Sequence, residues 1–236
     1  MKSLLLLKVG HTFEHIAAQR GDYDVWFRER LGVSEEVLQV VHVDRGEPLP
    51  ERLDYAGIVV SGSSAMVTDR EPWSVATAAY LREAVQRAVP ILGVCYGHQL
   101  LADALGGEVA DNPLGRQAGT VRAQLTAAAA VDPLFAGLPE QITVQVSHRQ
   151  SVLRLPEHAT ALASHAGDPH QAYRVGELAW GVQFHPEFDG WTARAYIAAR
   201  REIFVGEGRD PEALMAAVED SDHGARVLAR FARMVT

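Results

Sequence analysis

The sequence predicts an α/β protein: an open, mostly parallel central sheet with helices on both faces and a few antiparallel strands. Three observations lead there. Short apolar runs alternate with helical patterns through the first part of the chain, the arrangement that builds a buried parallel sheet. From residue 109 to residue 184 β-forming segments follow one another without long helices. The apolar runs 58–60, 91–94 and 179–184 each end in a loop of small or chemically active residues, and ligands collect beyond the carboxyl ends of strands in open sheets.

In chain order, residues 3–9 read as the first strand, with Lys8 interrupting a leucine run too short for a signal-peptide core. Residues 22–31 and 73–89 place apolar side chains at helical spacing and charges elsewhere. Strands are expected at 37–43 and 57–60, joined by a turn that Pro48 and Pro50 mark. Residues 91–94 read as a buried strand and residues from 97 onward as a helix with Leu100, Leu101, Ala104 and Leu105 on one face. Segments 109–126 and 141–153 suggest antiparallel or mixed strands, and Asp132-Pro133 should open a single helical turn. Three short strands follow at 159–164, 171–175 and 178–184. Helices over 192–204, 211–218 and 225–234 close the chain, with Gly206 and Gly208 as breaks. No stretch reads as a linker, so residues 1–236 are expected to form a single domain.

Composition narrows the function classes. With 22 Lys plus Arg against 30 Asp plus Glu, the net charge is -8 and no basic cluster interrupts it, so nucleic acid is not an expected partner. No apolar run approaches the length of a membrane span, so no membrane association is expected. The 1 cysteine can form neither an internal disulfide nor a cysteine-based zinc cage, which makes a reducing cytoplasm the default compartment.

That cysteine is the centre of the chemistry. Cys95 lies in Gly93-Val94-Cys95-Tyr96-Gly97, between a predicted strand and a predicted helix. A sharp corner there lifts a nucleophile out of the sheet, and small flanking residues allow close backbone packing. The helix N-terminus favours negative charge on sulfur, and the Tyr96 N–H is placed to stabilise an oxyanion. Taken alone, Cys95 reads more readily as an inert, buried core residue.

Two distant segments favour the chemical reading. In Trp180-Gly181-Val182-Gln183-Phe184-His185-Pro186-Glu187 an apolar strand ends at a histidine followed two residues later by a glutamate. If the chain is extended there, Glu187 reaches one ring nitrogen of His185 and leaves the other for a nucleophile. A surface His-Glu pair is the plainer alternative. A zinc site is not expected, because the pair lacks helical metal-ligand spacing and the other histidines, including His11 and His42, are scattered. The third segment, Ser61-Gly62-Ser63-Ser64, follows an apolar strand, and its small residues permit the close approach a second oxyanion donor needs.

With these residues in place the chain resembles the class I glutamine amidotransferases of the triad type, as in the glutaminase half of GMP synthase. The resemblance rests on Gly93-Val94-Cys95-Tyr96-Gly97-His98-Gln99 and on Gly181-Val182-Gln183-Phe184-His185-Pro186-Glu187-Phe188. It implies a flavodoxin-like fold, Cys95 as nucleophile, His185 as general acid and base and Glu187 as its orienter. It further implies Ser63 and Tyr96 as oxyanion donors, with Gly62, Gln99, Ser147, His148 and Arg149 around the substrate. The chain departs from the family pattern at Gly62-Ser63-Ser64, where Gly-Gly-Pro is common, and at Gln117 and Gln150, where acidic residues are common.

The implied substrate is glutamine or another γ-glutamyl compound. No metal or organic cofactor is implied, and ammonia would pass to a synthetase or acceptor on a separate subunit. Two rivals share these residues: a γ-glutamyl peptidase with the same chemistry, and a catalytically silent binding or regulatory subunit with the same fold.

Overall fold

The computed structural model describes residues 2–236. Its spine is a nine-stranded mixed sheet in the order β2-β1-β3-β4-β11-β10-β9-β6-β7. The parallel part comprises β1 (Leu4–Lys8), β2 (Leu38–His42), β3 (Gly57–Val60), β4 (Ile91–Val94) and β11 (Ala179–Val182). Antiparallel pairing extends it through β10 (Asp168–Val175), β9 (Ala159–His165), β6 (Gln117–Leu125) and β7 (Gln141–His148). A separate pair joins β5 (Glu108–Asp111) to β8 (Gln150–Arg154).

Strand alternation divides the core in two. Leu4 and Leu6 of β1 face one hydrophobic cluster, and Leu5 and Leu7 face the other. The first cluster also takes side chains from α1 (Glu14–Arg20), α2 (Tyr23–Leu31), α5 (Gly190–Ala199) and α8 (His223–Val235). The second takes them from α3 (Pro72–Gln86) and α4 (Tyr96–Ala104). Near α5, the short helices α6 (Arg201–Gly206) and α7 (Pro211–Ala216) cover a smaller cluster around Ile197 and Phe204. The expected doubly covered sheet is therefore the observed one. Among the described residues no helix is long and apolar enough to cross a membrane.

Four local differences have physical causes. Helix α1 carries no strong sequence signal: it is seven residues long, lacks a side-chain N-cap and buries only Ile16. The expected strand over 109–126 is two strands in different sheets, separated by a turn in which Asn112 Oδ1 accepts the Leu114 N–H. The expected helix over 192–204 breaks at Arg200 (φ -109°, ψ 19°) into α5 and α6. Finally, the chain leaves β11 at Val182, so His185 and Glu187 lie in a turn closed by the Phe188 N–H on the His185 carbonyl (3.2 Å). The turn, rather than an extended i, i+2 relation, brings their side chains together.

Candidate active site

The ends of β3, β4 and β11 are neighbours in the sheet, so Gly62, Cys95 and His185 converge at one edge. Cys95 is the N-cap of α4 with φ 51° and ψ -99°. A non-glycine residue in this region carries about 1–3 kcal/mol of strain, which the surrounding fold must over-determine. Its restraints are clear: the Cys95 N–H bonds the Val182 carbonyl (2.9 Å), its own carbonyl accepts from Gln99 (3.1 Å), and the Gly97 N–H bonds the Ser61 carbonyl (3.2 Å). The flanking glycines are required by space. A Cβ on Gly93 would overlap the Gly97 carbonyl, and one on Gly97 would stand 2.5 Å from the Val60 carbonyl oxygen.

Cys95 is only 4% exposed, yet it lines a cavity of about 310 Å³ shared with Ser63, Tyr96, Gln99, Ser147 and His148. Cys95 is therefore at the boundary between that cavity and the core. Behind it, the His185 Nδ1–H donates to Glu187 Oε1 at 2.7 Å, and both side chains are buried. Phe188 stacks on the imidazole (4.1 Å between ring centroids, 16° between planes), and Trp26 meets Phe188 edge-on. Burial opposes the imidazolium, but the Glu187 carboxylate and the Cys95 sulfur beside it prevail and raise the His185 pKa to about 10. The ring is thereby fixed in orientation and charged near neutral pH.

Gly62 leaves room for this ring. A Cβ there would lie 2.9 Å from His185 Cε1, 3.4 Å from the Tyr23 hydroxyl and 3.7 Å from Cys95 Cβ. The loop that carries it is held by Ser61, whose Oγ accepts the Val9 N–H (3.0 Å) and donates to the Gly62 carbonyl (3.0 Å). Ser63 is pressed against Gly10, and Tyr96 stands at the first position of α4, where a backbone N–H has no intrahelical partner.

The remaining expected residues fall around the cavity in different ways. Gln99 commits its amide nitrogen to the Gln150 carbonyl (2.6 Å) and Gln183 Oε1 (3.0 Å), leaving its oxygen for a ligand. Ser147 Oγ accepts from Arg200 (3.1 Å). His148 lies with Nε2 3.1 Å from the buried Asp168 carboxylate, without hydrogen-bond geometry. The Arg149 side chain, which also borders the cavity, is half-exposed and pairs with Asp111 (2.5 Å). Gln117 stays local, bonding the Gly115 carbonyl (3.1 Å).

Sequence reasoning missed Arg200 and Phe13 as cavity residues, whereas Gln150, noted there as a departure from the family pattern, does line the cavity. Arg200 stands over the rings of Phe13 and Tyr196, each 5.0 Å away, and is half-buried; burial lowers its pKa from the usual guanidinium range. The only local signal for it is a helix break at a residue of good helix propensity, which is not visible before the fold is known. Gln150 donates to Thr68 Oγ1 (2.7 Å) while its own oxygen is buried without a partner.

Comparison with known proteins gives one consistent answer. A family model described as glutamine amidotransferase class-I matches residues 26–202. A GMP synthase (glutamine-hydrolyzing) of Aeropyrum pernix is 36% identical over 185 residues, covering 78% of this chain and 32% of that relative. One of Bacteroides fragilis is 40% identical over 133 residues, covering 56% of this chain and 24% of the relative. The chain thus spans about a third or less of the length of these curated relatives. Its fold is shared with solved glutamine amidotransferases of Thermotoga maritima (TM-score 0.76, 23% identity, 100% of this chain and 99% of that one) and Methylobacillus flagellatus (0.77, 24%, 100% and 96%).

Proposed function

The chain belongs to the class I glutamine amidotransferase family, and from that premise we propose that it hydrolyses the side-chain amide of glutamine through a γ-glutamyl thioester on Cys95. The single observation that carries the reading is the His185 ring, pinned by Glu187 at 2.7 Å and by Phe188 at 4.1 Å, with Cys95 beside it across the space that Gly62 leaves open.

Cys95 sulfur attacks the amide carbon, and the Ser63 and Tyr96 N–H groups receive the oxyanion. His185, held as imidazolium, protonates the departing nitrogen, and ammonia leaves as the C–N bond breaks. Water then attacks the thioester carbonyl while His185 takes its proton. The C–S bond breaks, sulfur is released, and the net change is glutamine plus water to glutamate plus ammonia. Glu187 holds the tautomer and balances the imidazolium.

The substrate head is held by polar groups on the cavity wall. Arg200 suits the α-carboxylate, whereas the free oxygens of Gln99 and Gln150 suit the α-ammonium. Gln150 stands where the family often carries an acidic residue, so a neutral acceptor takes that role here. Similarity to GMP synthases favours delivery of ammonia to a nucleotide-synthesising partner.

The test is glutamate release from a panel of glutamine and γ-glutamyl dipeptides, with Cys95→Ala as control. Turnover of glutamine that disappears in the variant supports the proposal. Turnover of dipeptides in preference to glutamine would favour a peptidase, and unchanged ammonia release by Cys95→Ala would refute the assignment.

A further inference from the structure

A second cluster of functional side chains lies away from the triad, at the carboxyl ends of the neighbouring parallel strands β1 and β2. His42 closes β2 opposite Lys8 of β1, His11 follows β1, and Asp44 lies in the 3₁₀ turn Val43–Arg45. The ligand atoms of His11, His42 and Asp44 all lie within 4.8 Å of one another, and the two imidazoles stack with 11° between planes. Histidines that read as scattered in the sequence are thus brought together by strand pairing.

Hydrogen bonding makes the cluster unusual. The His11 Nδ1–H donates to Asp22 Oδ2 (2.6 Å), which leaves the lone pair of a neutral ring on Nε2. That Nε2 faces Asp44 Oδ2 at 3.1 Å without hydrogen-bond geometry. His11 Nε2, His42 Nδ1 and Asp44 Oδ1 are all buried and unpartnered. Buried polar atoms left unpaired are costly, and a cation between them would satisfy all three, with His42 in the tautomer that leaves the Nδ1 lone pair free.

Nearby cations do not supply it. Lys8 is engaged with Asp22 (2.8 Å) and Asp24, while Arg45 approaches the opposite nitrogen of His11, Nδ1, at 3.4 Å. Protonation of His11 would serve Asp22 and Asp44 but leave His42 Nδ1 without a partner.

We propose that His11, His42 and Asp44 form a site for a divalent transition ion of the zinc class. Two imidazoles and a carboxylate are the borderline donor set such ions prefer, and three protein ligands leave a fourth position for water. Asp22 supplies the outer carboxylate that metal-bound histidines commonly engage. It is itself fixed by the Thr12 and Tyr23 N–H groups, both at 2.8 Å. The ion would clamp the segment after β1 to the turn after β2. Because Tyr196 links Thr12 (2.8 Å) to Tyr23 (3.0 Å) and packs on Phe188 (4.7 Å between ring centroids), the clamp would stiffen the support of the ring that stacks on His185. This inference does not depend on the glutaminase reading.

The experiment is titration of chelator-treated, tag-free full chain with Co²⁺, followed by visible absorption, and with Zn²⁺, followed by calorimetry and thermal unfolding. We expect one ion per chain at micromolar or lower concentration and a melting temperature that rises with Zn²⁺. Asp44→Asn and His42→Gln should each lose at least about 100-fold in affinity, and Asp22→Asn about 10- to 100-fold. Circular dichroism separates loss of the site from loss of the fold. Absence of micromolar binding, or Asp44→Asn and His42→Gln variants that bind like the parent, would overturn the proposal. Binding lost only in Cys95→Ser would place the ion at the sulfur and overturn it equally.

Discussion

Gly62→Ala should damage both catalysis and stability. The added methyl would lie 2.9 Å from His185 Cε1, closer than carbon atoms approach without displacement. Ordinary contact requires roughly 0.5 Å or more of movement. The backbone of Gly62 is not in the left-handed region, so the effect is steric rather than conformational. The loop cannot retreat easily, because Ser61 is bonded to Val9, Leu7 and Gly97. The imidazole is therefore the group that moves, against its stack on Phe188 and its bond to Glu187. Overpacking of this kind costs about 1–3 kcal/mol, and misplacement of a reacting group by about 1 Å costs on the order of 100-fold in rate. Steady-state glutamate release and urea unfolding measure the two separately. A Gly62→Ala protein within about twofold of the parent kcat would refute the argument that Gly62 leaves the space in which His185 works.

Three further outcomes follow from the same geometry. Glu187→Gln should lower kcat by about 10²- to 10⁴-fold, since the ring loses its orienter and the chief support of its charge. It should also flatten the alkaline pH dependence of stability: a His185 pKa raised to about 10 gives stabilisation that is full below the ~6.5 of an unfolded histidine and lost as pH rises through about 10, visible in urea midpoints across that window. Arg200→Ala should raise KM for glutamine about tenfold or more with a smaller change in kcat, and Arg200→Lys should recover part of it. Asp132→Ala, far from the chemistry, should cost about 3 kcal/mol or more in denaturant unfolding, because buried Asp132 accepts from Trp180 Nε1 (3.1 Å), Arg174 (2.9 Å) and the Leu134 N–H (2.9 Å).

What could be read from the chain depended on how local its cause was. The corner at Cys95 was legible because strand, glycines and helix are contiguous, and the glycines prove necessary on steric grounds. The His185–Glu187 pairing was legible as a pair although its expected extended geometry was wrong; a turn closed by Phe188 performs the same task. Helix α1 was missed because it has neither a capping side chain nor an apolar stripe. Arg200 and the His11–His42 cluster were missed for a different reason. Arg200 reaches the cavity through a helix break and a helix packed on the sheet, and the two histidines meet because β1 and β2 are neighbours; no spacing within a single segment encodes either.

The central claim is that Cys95 carries the γ-glutamyl group and that His185 drives its release. Rapid mixing with glutamine, acid quench and peptide mass spectrometry address it directly. The account predicts an adduct of one γ-glutamyl group confined to the peptide containing Cys95, forming and decaying at rates compatible with turnover and absent from Cys95→Ala. Glutamate production at the parent rate with no adduct on that peptide, or an adduct on another residue, would contradict it.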